Sequence, residues 1–306
     1  MRIALHDAEK EHMPKKSFPN LALMKLSAFH KSHGDTVEWW TPLAQYDRVY
    51  SSKVFDFTPE NPYLPPHTIR GGTGYKDIPL NQTLPDDIDE TFPDYSIYSN
   101  CDYAIGYLTR GCPRKCPWCV VPSKEGEIKA YRTWQEVVRS DTKKLTLLDN
   151  NILACDHGIS QLAELAETDY KIDLNQGMDA RLVTPEIADI LAKCQWQGKN
   201  KSIRFSCDQK SQIEDLHRVC QLMGERGVLP YRIFVYVLVT KEIEDAAFRV
   251  EALKKHKGIF LYAQPERNDS KGIIPNGEQM EFAQRFVYKG AFRKKTWEEY
   301  KNRRIF

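Results

Sequence analysis

Apolar and polar positions follow two rhythms along the chain. Short runs rich in β-branched and aromatic residues at 103–108, 145–148, 171–174, 202–206, 232–239 and 259–262 read as strands. Between them the period lengthens to that of a helix. Thr184-Pro185-Glu186 is a helix start, with an N-cap followed by proline at the first position, and Ile187, Ile190, Leu191 and Cys194 form its apolar stripe. Ile213, Leu216, Val219, Cys220 and Met223 make a second stripe that stops at Gly224, and Ile243, Ala246, Ala247, Val250 and Leu253 a third. About six successive strand–helix units predict a parallel sheet, either open or curled into a partial barrel.

An earlier segment shows the same alternation on a smaller scale. Strands are expected near 2–5, 36–40 and 46–50, with a helix capped by Asn20 running through Leu21, Leu23, Met24, Leu26 and Phe29 to about Gly34. A glycine-rich turn follows at 68–75. Seven of the 17 prolines fall between Pro59 and Pro93, and proline suits neither central strands nor helix interiors. The expected organisation is a small Rossmann-like α/β domain over 1–75, a proline-rich linker over 76–100, the larger α/β domain over 101–270 and a solvated helical tail over 271–306.

Composition narrows the class. With 306 residues, the chain is long enough for two domains. Its 44 Lys+Arg against 42 Asp+Glu leave a formal net charge of +2, so nucleic acid is not indicated by charge. A mean hydropathy of -0.57 and no long uncharged apolar run predict no membrane span; the most apolar stretch, 228–240, carries Arg232. The opening residues lack the apolar core of an export signal, so a cytoplasmic location is expected. Eight cysteines are too sparse for a disulfide scaffold, and in a reducing compartment a cluster of them points to metal or catalysis.

Such a cluster stands at Cys112-Pro113-Arg114-Lys115-Cys116-Pro117-Trp118-Cys119, a CxxxCxxC spacing directly after an apolar strand. That position is the C-terminal end of a strand, where α/β folds build ligand sites. Thiolates are soft ligands for iron–sulfur clusters or zinc, and both usually take four protein ligands. Three local ligands therefore leave a position open.

On these residues the chain resembles the radical S-adenosylmethionine superfamily. The Gly111-Cys112 opening and Cys119-Val120-Val121-Pro122 after the triad resemble its branch with an N-terminal cobalamin-binding-type domain. The resemblance implies a partial (β/α)6 TIM-like barrel preceded by a small Rossmann-like α/β domain. It implies a four-iron four-sulfur cluster held by Cys112, Cys116 and Cys119, with S-adenosylmethionine on the fourth iron. One-electron reduction would then yield a 5′-deoxyadenosyl radical that takes hydrogen from a substrate. Trp118 is expected beside the adenine, and Asp149, Asn150 and Asn151 near the amino group, although the glycine-glycine-glutamate form common elsewhere is absent. Gln176, Arg181, Ser206 and Asp208 are expected at the barrel mouth, an arginine there suiting a carboxylate. A flavodoxin or ferredoxin-type reductant is the implied partner, and a small molecule the expected substrate.

Each assignment has a plainer counterpart. The triad can be a zinc knuckle completed by Cys101 or a distant histidine, which would make the chain a zinc-stabilised binding module. Asp149–Asn151 can be a capping turn, and Arg181 and Gln176 a salt bridge and a loop hydrogen bond. Cys207, at a strand end, is a candidate hydrogen donor to a radical or a small core residue. Cys194 and Cys220 read as core, and Cys101 and Cys155 match no ligand spacing. The Gly71–Gly74 turn is a candidate cradle for a phosphate or a cobalamin tail, which a cobalamin-dependent radical methyltransferase would need; the Asp-x-His-x-x-Gly motif is absent and bound cobalamin is not favoured.

Overall fold

The computed structural model describes residues 1–14 and 18–302. Its chain divides into two compact units. One holds Met1–Asp102 with Asn268–Gly272, and the other holds Tyr103–Arg267 with the described residues from Ile273 onward.

In the first unit, β1 (Arg2–Asp7) has five buried residues in a row, which suits the centre of a parallel sheet. It pairs in parallel with β2 (Thr36–Trp39) and β3 (Arg48–Ser52), and β3 with β4 (Ile69–Gly71). Asn20 caps helix Leu21–Ser32, its side chain accepting from the Leu23 amide at 3.2 Å, and Gly34 follows with φ +79. Leu23 and Leu26 pack with Ile3, Leu5 and Tyr50.

The glycine-rich segment is partly a strand, β4, where a turn alone was expected. Its glycines are explained by their own backbone. Gly72, at φ +98, lies so near the Lys53 carbonyl that a Cβ would sit 2.3 Å from its oxygen, and the Gly74 amide donates to that oxygen at 2.8 Å. The segment Asn268–Gly272 falls with this unit because the Ser270 amide and hydroxyl donate to Asp56 at 2.8 and 3.0 Å.

The second unit follows the predicted alternation. β5 (Ala104–Gly106) is followed by a short antiparallel pair, β6 (Thr109–Arg110) with β7 (Lys129–Ala130). Then come β8 (Lys144–Leu147), β9 (Lys171–Leu174), the two-residue β10 (Gln195–Trp196), β11 (Ile203–Ser206), β12 (Ile233–Val239) and β13 (Phe260–Pro265). The first parallel sheet runs β10-β9-β8-β5 and the second β11-β12-β13. A parallel bridge between Met178 and Phe205 links the chain leaving β9 to β11. Helices Pro185–Lys193, Ile213–Glu225 and Ile243–Leu253 lie where their stripes predicted. Helix Asp156–Ala166 went unrecognised, although Ile159, Leu162, Leu165 and Ala166 give it an apolar stripe.

The C-terminal segment differs from the expected solvated tail. It forms helix Gly277–Glu281, a π-helical stretch Phe282–Tyr288 and helix Trp297–Asn302. Phe282, Phe286, Val287, Phe292 and Trp297 are buried in the core of the unit. Apolar aromatic area outweighs the charges interleaved with it. The last four residues of the expected tail lie outside the described residues. No helix among the described residues is long and apolar enough to cross a membrane.

Candidate functional site

β5 stops two residues before the predicted end of its strand because the Leu108 amide is used elsewhere. The Leu108 amide donates to both carboxylate oxygens of Asp149, at 3.1 and 3.2 Å. The Thr109 amide and hydroxyl donate to Oδ1 at 2.5 and 2.7 Å. Asp149 is thus a buried clasp that turns the chain out of β5 towards the cysteines. Burial pushes its carboxyl up to about 6, against the pull of these donors. It faces the junction rather than open space, so the expected contact of Asp149 with an amino group is not what its side chain is placed to make.

The cysteine loop is opened by glycine. Gly111 has φ +86, and a Cβ there would lie 2.2 Å from the Glu127 carbonyl oxygen. Only glycine fits both the left-handed backbone and the close approach. Gly111→Ala is expected to destabilise the unit by about 2 kcal/mol or more, read as a lowered midpoint in urea unfolding. A variant as stable as the parent would remove this account of the loop.

Glu125, which the sequence did not single out, holds the loop's base. Its carboxylate takes Nε and Nη2 of Arg110, each at 3.0 Å, the Gly111 amide at 3.0 Å and Asn150 Nδ2 at 2.9 Å. Arg110 in turn lies over the Tyr107 ring at 4.2 Å. Asn150 is therefore spent on Glu125. The signal that marked Glu125 was faint: an acidic residue after a helical turn, meeting a cation 15 positions earlier.

Asp179 ties the loop to the chain after β9. It accepts from Arg114 Nε at 2.9 Å and from Arg181 Nε and Nη2 at 2.7 and 2.9 Å. Burial opposes its ionisation, but Arg181 and then Arg114 outweigh it and hold the carboxyl below its ordinary value. Arg181 is thereby brought towards the cysteines while paired with Asp179, the salt bridge of its plainer reading. The Cys116 thiol is pushed up by burial and then by its neighbours Cys119 and Cys112, with Arg181 opposing. Partial burial also raises Cys119.

Two donors point at Cys112 sulfur, the Arg114 amide and Asn151 Nδ2, both at 3.5 Å. Asn151 is 5% exposed, and its Oδ1 is buried without a hydrogen-bond partner. An orphaned acceptor beside a sulfur cluster invites a donor from a ligand. Trp118 is half-buried in the same loop. Among the described residues no three His, Cys, Asp or Glu side chains are gathered to hold one metal ion.

Strand alternation sorts the remaining expected residues. On β11 and just beyond it, Ile203, Phe205 and Cys207 point into the core, and Arg204, Ser206 and Asp208 to the other face. Cys207 is wholly buried, its sulfur near the Gln209 carbonyl at 3.9 Å, and burial pushes its thiol up to about 12. The hydrogen-donor reading of Cys207 is corrected: it stands on the packed face. Cys194 is likewise buried, and burial pushes the Cys194 and Cys220 thiols up to about 12. Asp208 faces the cysteines, its Oδ1 accepting from the Leu238 amide at 3.1 Å, and burial raises it. Ser206 is half-buried on the same face, and Gln176 is exposed on the loop after β9.

Two cavities, of about 420 and 220 Å³, are lined by other residues, among them Val228, Pro230 and His256 in one and Lys171, Trp196 and Arg232 in the other. No family model matches the chain, and a search of curated proteins returns no match.

Proposed function

We propose that this chain is a radical S-adenosylmethionine enzyme whose Cys112, Cys116 and Cys119 hold a four-iron four-sulfur cluster. The observation that carries this reading is the built environment of Cys112. Three thiols share one loop at the C-terminal ends of parallel strands, two N–H donors meet the Cys112 sulfur, and the buried Asn151 carbonyl lacks a donor. The donor set fits the group: soft sulfur ligands, no carboxylate among them, and a cation, Arg181, that lowers the cost of charge at Cys116. We read the parallel strands β5, β8, β9, β11, β12 and β13, joined across the Met178–Phe205 bridge, as a partial barrel of the expected kind.

When bound, the cluster and S-adenosylmethionine together supply a 5′-deoxyadenosyl radical able to take hydrogen from carbon. The protein's own residues do the rest. The Arg114 amide and Asn151 Nδ2 donate to the sulfur of Cys112 and hold it in place. Asn151 Oδ1 is the acceptor we assign to the ligand's ammonium, replacing Asp149 in that role. Asp149 and Glu125 position the loop, one from each end of its entry. A one-electron donor of flavodoxin or ferredoxin type is the partner this chemistry requires.

The test is anaerobic. Wild-type protein reconstituted with iron and sulfide, then given dithionite and S-adenosylmethionine, is expected to form 5′-deoxyadenosine, seen by mass spectrometry. Iron incorporation without any cleavage, across a range of reductants, would count against the assignment.

A further inference from the structure

The second sheet has an open face. On β11–β13 the side chains of Ile203, Phe205, Val235, Val237 and Leu261 are at most 2% exposed. The alternate set, including Arg204, Phe234, Tyr236 and Phe260, is only half-buried, and Tyr262 is 39% exposed. Parallel sheets normally have both faces covered, because both carry apolar side chains. Here the uncovered face is aromatic. Phe234 stacks on Phe260 with centroids 5.0 Å apart and planes at 24°, and on Tyr262 at 6.0 Å and 27°. Tyr236 meets Tyr262 edge-on at 5.9 Å.

A second, independent feature closes the edge of this face. Tyr288 ends the π-helical stretch Phe282–Tyr288 and is 61% exposed. Its ring meets Phe260 and Tyr262 edge-on, at 6.5 and 6.4 Å. π-Helical turns are rare and concentrate at functional sites. The wide turn keeps Phe286 and Val287 in the core while presenting Tyr288 to the open rings.

The face also has polar features. The Arg204 guanidinium lies 5.8 Å from the centre of the Phe234 ring and is ion-paired with Asp173 of β9. That pairing neutralises it, so the face does not call for an anion. Gln264 and Ser206 lie on the same face further along β13 and β11. The face is continuous with the candidate site. A Cβ on Gly177, two residues before Asp179, would lie 3.1 Å from the Tyr236 ring, and Ser206 and Asp208 follow Arg204 towards the cysteines.

We propose that this face is the substrate cleft and takes an uncharged planar heteroaromatic ring of nucleobase type. The packed rings, with Tyr262 and Tyr288 exposed at their edge, form a platform on which a flat π-system can stack and which an aliphatic ligand does not exploit. The Arg204–Asp173 pair and Gln264 offer donors and acceptors to a ring edge, which a plain benzene ring would leave unmatched. Calling the ring a substrate rests on the proposed function; its binding does not.

The experiment uses the whole reconstituted chain. Binding of guanosine and cytidine is measured by ligand-observed NMR, with tyrosinamide and cyclohexylalaninamide as comparators, with and without saturating S-adenosylmethionine. Wild type is expected to bind a nucleoside in both conditions. Tyr262→Ala is expected to weaken it about tenfold and Tyr262→Phe to leave it within about twofold, since stacking survives in phenylalanine. Equal binding of cyclohexylalaninamide, tighter binding of tyrosinamide, displacement by S-adenosylmethionine, or no binding at all would each overturn the inference. Protein that cleaves S-adenosylmethionine but binds no nucleoside sinks this inference alone. Protein that binds nucleoside yet never holds a cluster sinks the proposed function alone.

Discussion

Alanine at Cys112, Cys116 and Cys119 together is expected to abolish iron and sulfide retention and to reduce S-adenosylmethionine cleavage to background. The fold should survive. Cys119 is exposed, Cys112 and Cys116 are half-buried, and none belongs to the apolar core, so the cost in stability should be about 1–3 kcal/mol, set by the donors left at Cys112. Among single variants, Cys112→Ala should be the most damaging to the loop itself. It strips the acceptor from the Arg114 amide and leaves Asn151 with neither of its amide groups paired. Iron and sulfide assays beside a far-UV spectrum check the prediction. Cleavage retained by the triple variant would refute the site. One zinc per chain, lost with the triad and unaccompanied by cleavage, would replace the enzyme with a zinc-stabilised binding module.

Asp149→Ala should produce the largest loss of stability at the site. It leaves the Leu108 amide and the Thr109 amide and hydroxyl without an acceptor in a buried place. Unpaired buried donors cost about 1–3 kcal/mol each, less what relaxation recovers, so a deficit of about 3 kcal/mol is expected. In a unit of this size that lowers Tm by about 10 °C. The deficit should depend on pH in a defined direction. Burial raises the folded pKa to about 6, above the unfolded value near 4. The native state then keeps a proton that the unfolded chain releases between about pH 4 and 6. The stability contributed by this group therefore falls as pH rises through that window and is level above it. Urea unfolding at about pH 4.5 and 7.5 should show the larger gap between parent and variant at the lower pH. A gap that grows with pH would show that the donors, not burial, govern the carboxyl.

Local signals were legible in the sequence. CxxxCxxC is a spacing within one loop, and the strand–helix alternation that places it is a pattern of neighbours. Thr184 and Asn20 cap the helices they were expected to cap because capping involves residues three apart. Cys207 was within reach of the same reasoning: Ile203, Phe205 and Cys207 share a period of two, which sends the thiol into the core with its apolar neighbours. The tail's many Lys and Arg suggest solvent, whereas Phe282 and Phe286, four apart, and Trp297 on the next helix are buried.

The pairings that build the site were not legible. Thr109 meets Asp149 across 40 positions and Arg114 meets Asp179 across 65. Asp149 stands out by its place after a strand, but nothing in either neighbourhood names the partner its carboxylate meets. The same holds for Glu125, and for Asn150, which Glu125 captures.

The sequence by itself determined the α/β class, the succession of the main strands and helices in the larger unit and the gathering of three thiols in one loop, since periodicity and residue spacing are properties of short segments. The tertiary structure decided which acids serve as clasps, which amide is left open beside sulfur, and which face of the second sheet stays uncovered. Those outcomes depend on what each side chain meets once distant segments are packed together, and burial and charge pairing act only there.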